Sequence, residues 1–156
     1  MKSQAPKNRP STRPLSKHAR ELPLFNKSFR VVGIGASAGG LDAFTQLLRP
    51  LPIDTGMAFV LVQHLDPGHK SMLTEIIGRE TRMPVSAVRD RMTLEPNHVY
   101  VIPPNTQMNL QDGILHLVPR AIGHGASLPI NFFLRSLAAD RGPLAIAVIL
   151  DRKSVV

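Results

Sequence analysis

Short, fully apolar runs alternate with amphipathic stretches in this chain, and that alternation limits the folds it can adopt. The run RVVGIG at residues 30–35 precedes LDAFTQLL, where apolar residues recur at helical spacing: Leu41, Phe44, Leu47 and Leu48. The run MAFVLV at residues 57–62 precedes a second such stretch, with Met72, Leu73, Ile76 and Ile77. Strands that are apolar throughout are typical of parallel sheets covered by helices on both faces. The sequence therefore predicts an α/β fold, doubly wound around a mostly parallel sheet.

The second helix and the elements after it have local signals of their own. Asp66 followed by Pro67 predicts a cap and a first helical position. Short strand candidates occupy residues 85–88, 98–102, 107–110 and 114–118, and Asp112-Gly113 is a hairpin turn signal between the last two. These segments predict an inserted antiparallel hairpin. A loop at 122–128, a helix at 129–139 and an apolar strand at 144–150 follow.

Length and composition restrict the class of protein. The 156 residues suit one domain, which we expect at residues 30–150, after a basic disordered tail at 1–29 and before an atypical end at 151–156. No apolar run approaches the roughly 20 residues needed to cross a bilayer, so we expect no membrane insertion. The amino terminus lacks the apolar segment of a secretory signal, and the chain has no cysteine. These features favour a cytoplasmic protein without disulfides, thiolate metal sites or a thiol nucleophile.

The net charge of +8 is concentrated at the amino terminus. Residues 1–30 contain eight of the nineteen Lys and Arg side chains and one acid, whereas the other residues carry eleven basic and ten acidic groups. The predicted domain is therefore almost neutral, and we expect no specific binding of nucleic acid.

A turn of small residues, GIGASAGG, joins the first predicted strand to the first predicted helix. Ser37 lies within it, near a helix amino terminus, where free N–H groups and the helix dipole favour negative charge. The five residues from Gly35 to Gly39 match the pattern G-x-S-x-G, in which an exposed serine is a nucleophile. The amides that follow, at Ala38 and Gly39, are candidates for holding an oxyanion.

The same turn also fits a phosphate cradle, because GASAGG is similar to the glycine-rich turn of short-chain dehydrogenases. Three features weaken that interpretation. The dinucleotide pattern would need glycine at Ala38, the only tyrosine, Tyr100, has no lysine four residues later, and no acid closes the second strand.

That second strand ends instead at Gln63-His64. Parallel strands end at the same edge of a sheet, so His64 is expected beside Ser37, where histidine is the usual base for a serine nucleophile. His64 and His69 are five residues apart, a spacing that does not align on one helix face, so we predict no metal site.

Five blocks in order carry a family resemblance: VVGIGASAGGLDAF, FVLVQHLDPGHKSML, EPNHVYVIPPN, LPINFFLRSLA and AIAVIL. Together, over residues 30–150, they resemble the catalytic domain of chemotaxis protein-glutamate methylesterases (CheB-type). The segments QHLDP and NHVYVIPPN are most similar to those of methylesterase modules that are fused to methyltransferases.

The resemblance implies a serine hydrolase, without a cofactor, that demethylates glutamyl methyl esters of chemoreceptors or other sensory proteins and also deamidates glutamines. It assigns the nucleophile to Ser37 and its base to His64. The family's third triad member, an aspartate in a glycine-rich turn, would fall at Val156, so no third acid is present and we expect a truncated, weakened enzyme. Two alternatives stay open: a non-catalytic receptor-binding module and a nucleotide-binding oxidoreductase.

Overall fold

The computed structural model describes residues 28–37, 40–63, 72–119 and 128–150. The predicted basic tail as far as residue 27, the loop at 122–127, the end at 151–156, Ala38, Gly39, His64, Pro67 and His69 lie outside these ranges.

The described residues form eight strands, three helices and one short 3₁₀ turn. In chain order they are β1 (Val31–Ala36), α1 (Leu41–Leu48), β2 (Ala58–Gln63), α2 (Leu73–Glu80), β3 (Val85–Ala87), β4 (Met92–Thr93), β5 (His98–Val101), β6 (Thr106–Gln111), β7 (Ile114–Pro119), α3 (Pro129–Arg141), the 3₁₀ turn (Gly142–Leu144) and β8 (Ala145–Leu150).

Five of these strands make a parallel sheet in the order β3-β5-β2-β1-β8. The central strands β1 and β2 are buried along their whole length, which explains their continuous apolar character. Helices α1 and α2 cover one face through buried side chains: Phe44, Leu48, Leu73 and Ile77. Helix α3 and a second, smaller sheet cover the other face. The predicted doubly wound α/β class is confirmed.

The smaller sheet is antiparallel, with the order β4-β7-β6. Its β6–β7 hairpin turns at Asp112 and Gly113, whose φ angles of 51° and 76° belong to the left-handed region that a two-residue hairpin requires. The predicted hairpin is confirmed. However, β3 and β5 are parallel members of the main sheet, and the two-residue strand β4 had no recognisable pattern in the sequence.

Two glycines in β1 let α3 lie close to the main sheet. A Cβ atom added at Gly35 would lie 2.5 Å from Cγ2 of Ile130, and one added at Gly33 would lie 2.8 Å from Leu134 and Leu137 side chains. Both contacts are shorter than packed carbon atoms tolerate. Gly33 and Gly35 therefore serve helix packing and are not part of the turn.

Helix α2 is described from Leu73 onward. Met72 precedes the helix as its cap residue and is exposed, and the helix runs from Leu73 to Glu80. Asp66 and Pro67, the predicted cap and first helical residue, lie outside the described residues, so that start stays a prediction. None of the helices in the described ranges is long and apolar enough to span a membrane.

Candidate active site

Ser37 is the first residue after β1, and it is exposed although the six residues before it are buried. Ala36, the last residue of β1, aligns with Gln63 at the end of β2 on one side and with Leu150 at the end of β8 on the other. Helix α1, which follows β1, and helix α3, which precedes β8, pack on opposite faces of the sheet. Ser37 therefore lies where the winding of the sheet changes direction, the position at which open α/β sheets bind ligands.

The backbone of Ser37 is held by two hydrogen bonds. Its carbonyl oxygen accepts the N–H of Gly40 at 2.9 Å and the side-chain Nε2 of Gln63 at 3.1 Å. The first bond closes a tight turn, in which a Cβ atom at Gly40 would overlap the Cβ of Ala36. Gly40 is also the cap residue of α1, so the turn leads directly into the helix. A fixed backbone limits the positions that the exposed hydroxyl of Ser37 can occupy.

Gln63 is a site residue that the sequence did not reveal as such. It is 6% exposed, at the end of an otherwise apolar strand, and its amide bridges β2 to the turn after β1. In the sequence, Gln63 stands where a dinucleotide-binding strand would end in an acid. A polar side chain that ends a buried strand was the available signal, because a buried amide needs hydrogen-bond partners.

The structure leaves the proposed base, the oxyanion amides and the region of the third acid undescribed. His64 follows Gln63 in sequence and Asp151 follows Leu150, and both lie outside the described residues, as do Ala38, Gly39 and Val156. The structure does give the register of β2, β1 and β8. Their last residues, Gln63, Ala36 and Leu150, are aligned with one another. In the described ranges there is no group of three or more His, Cys, Asp or Glu that could hold a metal ion.

The fold and this edge define an open α/β domain with an exposed serine at the switch point of a parallel sheet. Comparison with known proteins identifies the family: the model of the CheB methylesterase family matches residues 32–151, and the chain belongs to that family.

Relatives with curated descriptions agree with this assignment. The chain is 31% identical over 153 residues to a protein-glutamate methylesterase/protein-glutamine glutaminase of Pectobacterium atrosepticum, which covers 91% of this chain and 41% of the relative. It is 34% identical over 121 residues to one from Burkholderia lata, covering 77% of this chain and 36% of the relative. The chain thus spans about two fifths of the length of such relatives.

A solved structure is similar as well. The CheB methylesterase catalytic domain of Thermotoga maritima superposes with a TM-score of 0.68 at 25% identity, over 78% of this chain and 67% of that chain. The two share the α/β fold with its mostly parallel main sheet.

Proposed function

We propose that this chain is a serine hydrolase of the protein-glutamate methylesterase type, with Ser37 as nucleophile and His64 as general base. The substrates proposed are glutamyl methyl esters of cytoplasmic chemoreceptor segments or of other sensory proteins, with glutamine side-chain amides as a second class. Membership of the CheB methylesterase family supports the reaction type. The observation that carries the proposal is the exposed Ser37 at the switch point, with its carbonyl fixed by Gly40 and Gln63.

In the proposed reaction, Oγ of Ser37 attacks the ester carbonyl carbon while its proton passes to His64. The tetrahedral intermediate collapses, the C–O bond to the methoxy group breaks, and the proton returns to methanol as it leaves. Water, activated by the same imidazole, then hydrolyses the glutamyl ester of Ser37 and releases the glutamate side chain. With glutamine, the C–N bond breaks and ammonia leaves.

The oxyanion of both tetrahedral intermediates needs N–H donors close to Ser37. We assign this role to the amides of Ala38 and Gly39, which follow the nucleophile at the start of the turn into α1. Removing one donor of this kind costs about 10²–10³ in turnover in a well-studied serine protease.

Valine at position 156, where the family resemblance puts the third triad member, favours a second candidate. An imidazole without its carboxylate partner is not held in the productive tautomer, and such a loss costs about 10⁴ in turnover in the protease template. We therefore expect these 156 residues to hydrolyse methyl esters slowly. The second candidate is a receptor-binding module in which the chemistry is lost.

Labelling with a serine-directed fluorophosphonate distinguishes the two candidates. The experiment compares the wild type with Ser37→Ala and His64→Ala, and it measures intact mass and adduct location. Trypsin leaves Ser37 in the segment 31–70, because Pro50 blocks cleavage after Arg49. An adduct at Ser37 in the wild type, absent from Ser37→Ala and strongly reduced in His64→Ala, is the result we expect.

The controls test folding and substrate. Each variant should give the wild-type far-UV circular dichroism spectrum, and a helical peptide with glutamyl methyl esters should release methanol only where the adduct forms. A folded wild type that binds this peptide but never labels at Ser37 would favour the receptor-binding module. NAD(P) at millimolar concentration should leave the melting temperature unchanged, since a cofactor bound to the folded state would raise it.

A further inference from the structure

A serine–histidine pair lies in the main sheet, several residues from Ser37 along the strand direction. Ser86, on β3, has its Oγ 2.9 Å from Nε2 of His98, the first residue of β5. Strand β2 begins opposite His98 and ends opposite Ala36, the residue before Ser37. Through these strands His98 aligns with Val31 and Ser86 with Gly33, so at about 3.3 Å per residue the pair lies roughly 13–20 Å from Ser37 along the strand direction, two and three strands away. The pair is therefore not part of the Ser37 site.

The imidazole of His98 is held in a defined orientation. Ser86 aligns with Tyr100, two residues after His98, so all three side chains are on the face that carries the smaller sheet. The His98 ring stacks on Tyr100, with centroids 4.5 Å apart and planes at 20°. The Tyr100 hydroxyl accepts the N–H of Glu95 at 2.8 Å and lies 3.4 Å from the carbonyl of Thr93, to which it donates.

Electrostatics favours the neutral form of this histidine. Burial lowers the pKa of His98 below its ordinary value of 6.5, and the carboxylate of Glu95 opposes that shift only in part. A neutral imidazole with its proton on Nδ1 presents a lone pair on Nε2, which accepts the proton of the Ser86 hydroxyl. This is the protonation state that a general base for serine requires.

Ser86 is also accessible to a small molecule. It lines a cleft of about 340 Å³ together with Ala87, Arg89 and Met92, and it is half-buried. The volume suits a small ester, Met92 offers an apolar contact, and Arg89, an exposed residue of the lining, can stabilise negative charge.

We propose that Ser86 is a second nucleophile of this protein, activated by His98, and that it accepts acyl groups from small activated esters. Oγ of Ser86 forms a bond to the acyl carbon, its proton moves to Nε2 of His98, and the bond to the leaving alkoxide or phenolate breaks. Water then attacks the acyl-serine with His98 as base, which releases the carboxylic acid and restores the hydroxyl. With a fluorophosphonate, the Oγ–P bond forms, the P–F bond breaks and fluoride leaves.

Labelling of the Ser37→Ala protein tests this proposal independently of the proposed function. Trypsin releases Ser86 in the segment 83–89, where it is the only hydroxyl-bearing residue, so an adduct there is unambiguous. We expect a fluorophosphonate adduct on this segment and slow release of p-nitrophenolate from p-nitrophenyl acetate. Both should disappear in Ser37→Ala/Ser86→Ala.

The role of His98 is tested with His98→Gln in the Ser37→Ala background, because glutamine can bond to Ser86 but cannot act as a base. The labelling rate at Ser86 should fall about 100-fold or more, the range in which general bases contribute. His116→Gln, at a half-buried histidine of β7, is the matched control and should label at the parent rate.

Two results would overturn the proposal. One is a folded Ser37→Ala protein with no adduct on the segment 83–89. The other is an adduct there whose rate of formation is the same in His98→Gln. Neither result tests the role proposed for Ser37. Conversely, absence of an adduct at Ser37 in the wild type would leave the proposal for Ser86 unchanged. Circular dichroism and thermal unfolding of every variant exclude loss of the fold as the cause.

Discussion

Gln63, whose side chain is buried, connects the backbone of the proposed nucleophile to the neighbouring strand. In Gln63→Leu the carbonyl of Ser37 loses the bond from Nε2 of Gln63 and keeps the bond from the N–H of Gly40. We expect the fluorophosphonate labelling rate at Ser37 to fall about 10-fold or more, because small displacements of a reacting group are costly. Stability should fall by about 0.5–1.5 kcal/mol, measured by urea unfolding.

Gln107→Leu separates positioning from general destabilisation. Gln107 is also 6% exposed, but it lies on β6 in the smaller sheet. Its loss should reduce the free energy of unfolding without changing the labelling rate at Ser37. Equal labelling rates in Gln63→Leu and the wild type would show that Gln63 does not position the turn.

The pKa of His98 predicts how Ser86 reactivity depends on pH. Protonated His98 cannot accept the serine proton, so labelling of Ser86 should reach a plateau near neutral pH and decrease as the pH falls through the pKa, below 6.5. Glu95 raises this pKa, Tyr100 stacks on the ring, and Arg89 lines the cleft. Because Glu95 raises the pKa of His98, Glu95→Gln should move the midpoint of the pH dependence of labelling to lower pH. The measurement is the labelling rate in Ser37→Ala between about pH 5 and pH 8, and a midpoint that moves up would contradict the assignment.

At the scale of elements, the contact between β1 and α3 depends on the absence of a side chain at Gly35. In Gly35→Ala the new methyl group would meet Ile130, and Ile149 lies 3.1 Å from the same position. We expect a loss of about 1–3 kcal/mol in the free energy of unfolding, the usual cost of overpacking.

Gly78→Ala is the matched control, because its Cβ meets nothing within 4 Å on the exposed side of α2. It should stabilise the protein by about 0.5–1 kcal/mol. Urea unfolding of both variants measures the difference, and similar values for the two would exclude close packing as the role of Gly35.

The elements that the sequence predicted well are those whose signal is local. Helix α1 was predicted with its observed bounds because its apolar spacing is continuous, and the β6–β7 hairpin follows from the conformations that Asp112 and Gly113 adopt readily. Strands β3 and β5 were predicted, but their parallel pairing was not, since runs of four or five residues do not specify a partner strand. The same limit applies to the sites. Ser37 has small neighbours that indicate a turn in the sequence. Gln63 and the Ser86–His98 pair can be recognised only when the strand register is known, because the register brings their side chains to their partners.

For the whole molecule, the order of the main sheet leaves β8 at one edge. Among the described residues, β8 pairs with β1 alone, and Ile149 is 59% exposed on it. An apolar edge strand with unpaired backbone groups is a site for pairing between chains. We expect these 156 residues to associate through β8 as concentration rises, which light scattering coupled to size-exclusion chromatography measures as an increase in mass.

Ile149→Lys should reduce that increase, because a charged side chain disfavours edge-to-edge pairing. Ile53→Lys is the matched control: Ile53 is 55% exposed but lies in the connection between α1 and β2, outside the strands, and its replacement should leave the association unchanged. If the two variants reduced association equally, general surface hydrophobicity and not the β8 edge would be its cause.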